Sequence, residues 1–322
     1  GLALNNGCQV SNSVSGHALD VINKAFSASL LAFGFSLQAI NGNTSAYDSR
    51  VHAVRPHPGQ TLISEVISNV ISGSKFLDTE KTRVQDAYSF RCFPQVAGSA
   101  YDILKLSEKI LSTEMNSATD NPLLFEGDGD TLDSISGGNF HGAPIAHASD
   151  IAAVAAVDLA SISERRVFRL ITNRFSGLPS FLTSDPGVSS GLMIAQYTAA
   201  NLVSHAKSMC FPGSVDTIPT CEGQEDHVSM APVSAFKLLE IAENYLSVVA
   251  IEILTACQAI TFRAMEDKIN ENEGLSELTR KAFFAVRDVV PFLYADEPIS
   301  PHIRNIENMI HDGKLDFLTP LL

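Results

Sequence analysis

Four stretches of this chain repeat small apolar residues at the spacing of one helix face, and that repeat limits the fold more than any other feature. Ala18, Val21, Ala25, Ala28, Ala32 and Phe35 form one stripe, and Leu192, Ala195, Ala199, Leu202, Ala206 and Met209 form another. The others run through Ala148, Ala152, Ala155, Leu159 and Ile162, and through Leu238, Ala242, Tyr245, Val249, Ile253, Ala256 and Ile260. Alternating strand patterns are scarce. Alanine lets helix axes approach, and only burial on several sides rewards so many apolar positions. The expectation is all-α, an elongated bundle of long helices. The exception is Pro122 to His141, where Glu126-Gly127-Asp128-Gly129-Asp130 separates two short apolar runs and predicts a β-hairpin or excursion loop.

A chain of 322 residues with 45% hydrophobic and 18% charged content can bury a substantial core. Pro56-His57-Pro58-Gly59, Gly177-Leu178-Pro179 and Pro212-Gly213 read as breaks between helices, so residues 1–322 are taken as a single helical domain or part of one. The formal charge of −14 is spread without long blocks, which makes nucleic acid a poor partner. The most apolar stretches contain Asp150 and Asp158 or Glu252, which are costly in lipid, so they are expected to be buried helices and not membrane spans. Five widely spaced cysteines with no CxxC pair suggest reduced thiols in a cytoplasmic protein. No histidine or cysteine group has convincing metal spacing, and the acidic tip lacks the full calcium-loop pattern, so no metal is expected. The chain opens Gly-Leu-Ala-Leu-Asn-Asn-Gly, without a basic leader or an initiator Met. Its first residue is therefore expected to be a cut or a processed end.

Gln85, Tyr88 and Arg91 are spaced by three, so on a helical turn an amide, a phenol and a guanidinium share one side. Such a surface could take a carboxylate through the Arg fork, and a phenol beside a cation can move protons. A buried structural network is an equal reading of the same spacing. Gln224-Glu225-Asp226-His227 is a polar run before a long helix; Asp226 reads as a helix-entrance carboxylate, whereas Glu225 could accept from an amine or imidazole. Asn5-Asn6-Gly7, Thr119-Asp120-Asn121-Pro122 and Gly137-Gly138-Asn139-Phe140-His141 read on their own as turns. No Ser-His-Asp motif, P-loop or dinucleotide fingerprint is present.

These segments resemble the aromatic amino acid ammonia-lyases, and the histidine branch most closely. The matching blocks are Gly1 to Gly7, Arg50 to Gln60, Val84 to Cys92, Thr119 to Leu123, Gly137 to His141 and Ile218 to Met230, in the family's order. The resemblance implies the helical bundle of the fumarase/aspartase-like ammonia-lyase superfamily. It also implies elimination of ammonia from L-histidine to give urocanate. The implied cofactor is 4-methylideneimidazol-5-one (MIO), formed from an internal Ala-Ser-Gly, and no Ala-Ser-Gly occurs in these 322 residues. The family places that tripeptide upstream of the block matching Gly1 to Gly7. The expectation is thus a C-terminal portion of a larger enzyme, inactive alone, with an N-terminal segment as its companion chain.

By position, the resemblance makes Tyr88 a proton-transfer and charge-stabilising catalytic residue. Glu225 becomes a substrate-binding and acid–base residue. Arg91 would hold the substrate carboxylate, Asn121 and Phe140 would contact the substrate, and Asn6 and Gln85 would contact the prosthetic group. A homotetramer with active sites shared among subunits is implied as well. Two alternatives remain: a lyase or aminomutase acting on another aromatic amino acid, or a non-catalytic helical homologue.

Overall fold

The computed structural model describes residues 1, 4–79 and 84–318; Leu2 and Ala3 of the opening block lie outside them. The helices are α1 (Gln9–Ala39), α2 (Ser49–Ala53), α3 (Pro58–Ile71), α4 (Tyr88–Arg91), α5 (Phe93–Met115), α6 (Ala143–Leu170), α7 (Asn173–Ser176), α8 (Met193–Met209), α9 (Ala231–Asp267), α10 (Glu271–Gly274), α11 (Glu277–Arg287) and α12 (Ser300–His311). The four periodic stripes fall within α1, α6, α8 and α9, save that Leu192 is the N-cap residue of α8. The fold is the expected all-α bundle. Strands β1 (Leu123–Glu126) and β2 (Leu132–Ile135) pair antiparallel, Leu123 opposite Ile135 and Glu126 opposite Leu132, and form the anticipated hairpin.

Side-chain contacts fix the directions of the long helices. Ser15 of α1 meets Ser149 of α6 at 2.8 Å near their starts. Ser36 of α1 and Arg166 of α6 both donate to Glu252 of α9, and Arg263 Nε of α9 donates to the Ala39 carbonyl at the far end of α1 (2.9 Å). Helices α1, α6 and α9 therefore run parallel. The return helix α5 is antiparallel to them: Phe93 at its start stacks on Phe33 (4.2 Å between ring centres), and Ser107 donates to the Ala148 carbonyl (3.0 Å). Helix α8 is also antiparallel to α6, with Gln196 donating to Glu164 at 2.7 Å and Cys210 lying against the Ala153 carbonyl.

By length and composition α1, α6 and α9 could each cross a bilayer, yet 83%, 61% and 94% of their most apolar windows are buried. Their apolar faces are directed at one another and at α5 and α8. Inside this core lies an ion pair with both side chains at 0% exposure, Arg166 with Glu252. His52 is buried, with its ring nitrogens against the Ala46 carbonyl and Gln60 (both 3.1 Å).

Candidate active site

The parallel arrangement gives the bundle two unlike ends. At the first, α1, α6 and α9 all begin without a side-chain cap from their N-cap residues Cys8, Gly142 and Met230. Three positive dipole ends thus collect in one region, which favours electron-rich groups there, although the first amide of α9, at Ala231, already donates to Ser229 Oγ (3.3 Å) and Pro232 has none to offer. Glycines permit the close approach. A Cβ on Gly142 would lie 2.8 Å from that of Ala231, and one on Gly7 would lie 2.3 Å from the Thr119 carbonyl oxygen.

The loops with turn-like sequences converge at this end. Asn6 Nδ2 donates to Asp120 Oδ1 (3.2 Å), which also accepts from the Asn121 amide (2.7 Å). Asn121 Oδ1 accepts from Ser136 Oγ and the Gly137 amide (3.0 and 2.9 Å), tying the 119–121 turn to the end of the hairpin. The Cys8 thiol donates to the Phe140 carbonyl (3.2 Å), while the Phe140 side chain stays 45% exposed. Burial, and then the nearby Glu114 carboxylate, push the Cys8 thiol up to about 12, so it remains a neutral donor.

The loop entering α9 joins the same end. His227 lies parallel to His141 with ring centres 5.7 Å apart, and its carbonyl is 3.2 Å from His141 Nε2. Thr220 and Glu225 form an antiparallel bridge, and Glu225 Oε2 accepts a short hydrogen bond from Thr220 Oγ1. Cys221, Glu222 and Met230 take positive φ angles of 50°, 55° and 52°, an unfavourable setting for residues with a Cβ, and Glu225 lies between them. Asp226 is not the cap of α9. The helix starts five residues later, where Met230 turns left-handed and Pro232 supplies a pre-set first turn.

At the second end, Gln85, Tyr88 and Arg91 line a pocket of about 460 Å³ with Phe90, Arg169, Arg174 and Phe175. Only Tyr88 and Arg91 belong to α4; Gln85 precedes it on extended chain and still shares the pocket. Arg91 lies 4.7 Å over the Tyr88 ring and donates Nε to the Asp86 carbonyl (3.0 Å). Arg169 and Arg174 each stack on Phe175 at 4.5 Å. Neither was singled out by the sequence. Their only advance signal was the arginine-rich run Glu164 to Arg174, which by itself reads as a solvated helix end.

The two groups of candidate residues are far apart. Arg166 contacts the turn carrying Tyr88 and Arg91, and Gly142 adjoins Cys8 and Ala231; the 24 residues of α6 between them span about 36 Å. Asn6, Asn121, Phe140 and Glu225 belong to the first end; Gln85, Tyr88 and Arg91 belong to the second. One protomer does not bring all seven together.

Residues 1–288 match the family model described as aromatic amino acid lyase. The chain belongs to this family. Among its relatives, histidine ammonia-lyase of Alkaliphilus oremlandii is 42% identical over 317 residues, covering 98% of this chain and 60% of that protein. The crystal structure of histidine ammonia-lyase from Trypanosoma cruzi superposes with a TM-score of 0.89 at 37% identity, covering 100% of this chain and 59% of the other. Tyrosine aminomutase from Streptomyces globisporus gives a TM-score of 0.89 at 30% identity, covering 98% and 62%. The chain thus spans about 60% of the length of the curated relatives it matches.

Proposed function

We propose that the protein bearing this chain eliminates ammonia from L-histidine to give urocanate, with an MIO electrophile made from an Ala-Ser-Gly outside these 322 residues. The observation that carries the reading is the convergence of the N-termini of α1, α6 and α9 beside Asn6, in a chain similar to proteins named histidine ammonia-lyase. This end fits an electron-withdrawing prosthetic group, because three helix dipoles directed at one region stabilise negative charge there. When bound, that group supplies the electrophile that turns the substrate amine into a better leaving group.

The chain's own residues would supply orientation and proton handling. Asn6 and the helix amides would hold the group, and Gln85 would help to place it. Arg91 would grip the substrate carboxylate through its planar fork, with Tyr88 against its face. Tyr88 would carry a proton or stabilise charge near the reacting carbon. Asn121 has its Oδ1 engaged, so its contact to substrate would run through Nδ2. Phe140 would cover one side of the substrate. Glu225 keeps Oε1 to accept from the imidazole or the amine while Thr220 holds Oε2.

A site that needs both ends of a bundle about 36 Å apart supports an assembly of several protomers, proposed as a homotetramer in which Tyr88 and Arg91 of one copy complete the Asn6 end of another. The five unpaired cysteines suit a reducing cytoplasm. Similarity to tyrosine aminomutase favours, as a second reading, chemistry on another aromatic amino acid.

The test is to supply the complete purified protein with histidine, phenylalanine and tyrosine, and to record urocanate by its new ultraviolet absorbance. An intact-mass spectrum of the same sample would show any companion chain and the loss of water on cyclisation. Urocanate as the main product is expected, and residues 1–322 alone should yield none. Turnover of tyrosine or phenylalanine without histidine would replace the first reading by the second.

A further inference from the structure

Tyr88 and Arg91 stand on a helix of only four residues, too short to hold its own shape. Tyr88 is 69% exposed, whereas Ser89 and Phe90 between the two functional side chains are buried. What fixes the turn comes from the core. Tyr47, at the end of the short turn Thr44–Tyr47, donates its hydroxyl to the Phe90 carbonyl (3.1 Å). Arg166 Nη1 approaches the Ser89 carbonyl at 3.5 Å. The backbone amide of Asn43 donates to the Asp86 carboxylate (2.7 Å), and Arg91 Nε donates to the Asp86 carbonyl. Consecutive inward carbonyls of the turn are thus met by donors from two other parts of the fold.

Those donors are themselves held. Arg166 Nε and Nη2 form a fork on the two oxygens of Glu252 at 2.5 and 2.6 Å, and Glu252 accepts further from Ser36 (2.8 Å) and Ser163 (2.5 Å). The guanidinium face rests 4.7 Å from the centre of Phe93 and 5.4 Å from that of Phe33. Burial, with Asp86 nearby, pushes the Tyr47 phenol well above its ordinary range, so it stays a donor. A fully buried ion pair adds little stability beyond what well-packed apolar side chains would give. Directional control accounts for it better. The fork occupies two nitrogens and leaves Nη1 towards Ser89.

We infer that Tyr47 and Arg166 are positioning residues that set the direction in which the Tyr88 phenol and the Arg91 guanidinium leave the protein. The consequence for catalysis rests on the function proposed above, while the consequence for the turn does not.

Tyr47→Phe removes one hydroxyl and keeps the ring that packs edge-on against Phe33 at 5.8 Å. In the complete protein, hydrogen exchange at the amides of Phe90, Arg91 and Cys92, now bonded to the Ala87 and Tyr88 carbonyls, is expected to quicken about fivefold. With L-histidine, KM should rise and kcat/KM should fall about tenfold, because the carboxylate is gripped from a displaced turn. Affinity for imidazole, which has no carboxylate, should stay within about twofold of the parent. Arg166→Lys keeps the charge without the fork and should go further in the same direction; should it fail to fold, Tyr47→Phe carries the test alone. Unchanged exchange at the three amides, or equal weakening of histidine and imidazole, overturns the positioning role. Faster exchange in a protein whose parent form does not process histidine would uphold the positioning and remove the functional reading.

Discussion

The two ends of the bundle are built in opposite ways. At the Arg91 end a short turn is gripped from beneath by a buried ion pair and a buried phenol, and its candidate side chains Tyr88 and Arg91 line a pocket. At the Asn6 end the candidate residues sit on loops tied by hydrogen bonds between neighbouring turns, and Asn6, Phe140 and Glu225 are all exposed. The first end is preorganised by its own core; the second offers three gathered helix starts and exposed loops. That difference is what a site divided between copies requires, since a rigid tool on one protomer can be presented to a receptive surface on another.

The comparison breaks most sharply on two glutamates. Glu252→Ala leaves the Arg166 charge buried and unpaired, and we expect a loss of about 3–5 kcal/mol of unfolding free energy. Glu225→Ala removes an exposed carboxylate that bonds to Thr220, and its cost should be a few tenths of a kcal/mol. Urea unfolding of both variants measures the contrast. Equal losses would mean that the Glu225 loop is as firmly built as the core beneath Arg91.

Activity provides the next test, on a scale of about a hundredfold, or about 2.7 kcal/mol. Arg91→Ala and Glu225→Gln should each reduce turnover of the complete enzyme by at least that factor while leaving the fold intact. Co-expressed, the two inactive variants should recover about a quarter of parental activity, because random mixing joins an intact Arg91 end to an intact Glu225 loop in that share of shared sites. A mixture no more active than either variant would place the whole site within one protomer.

The helices were legible because a residue's face depends on its near neighbours in sequence: the stripes through Ala18, Ala148, Leu192 and Leu238 each mark a helix. The hairpin was legible for the same reason, with the Gly127 to Asp130 turn flanked by Leu123–Glu126 and Leu132–Ile135. The shared side of Gln85, Tyr88 and Arg91 also survived, although Gln85 reaches the pocket from extended chain and not from a helix. Long-range partners were not legible. Arg166 and Glu252 are 86 positions apart; Arg166 sits in an arginine-rich run that would ordinarily mark a solvated face, and the apolar stretch around Glu252 predicts its burial but not its partner. Nor did spacing reveal that α1, α6 and α9 are parallel, which is what gathers three helix starts at one end and sends Arg91 to the other.

The smallest expected effect concerns thiols of the Asn6 end and of the core. Cys8 precedes α1 at the loop-built end with its thiol on the Phe140 carbonyl, Cys257 lies within α9, and burial pushes both thiols up to about 12. Cys221 is exposed on the loop before Glu225. Alkylation at about pH 8 followed by mass spectrometry should therefore mark Cys221 and spare Cys8 and Cys257, since the thiolate is the reacting form. The sign of the linked pH effect follows from the raised values. The stabilisation from keeping these thiols neutral is fully present below their unfolded value of roughly 8.5 and is lost as pH rises through about 12. Unfolding midpoints should accordingly drift downward across that window, and Cys8→Ser should flatten part of the drift. If Cys8 reacts as fast as Cys221 while Cys257 stays protected, the helix starts are loose in the free protein, and the Asn6 end acquires its order only when another copy docks against it.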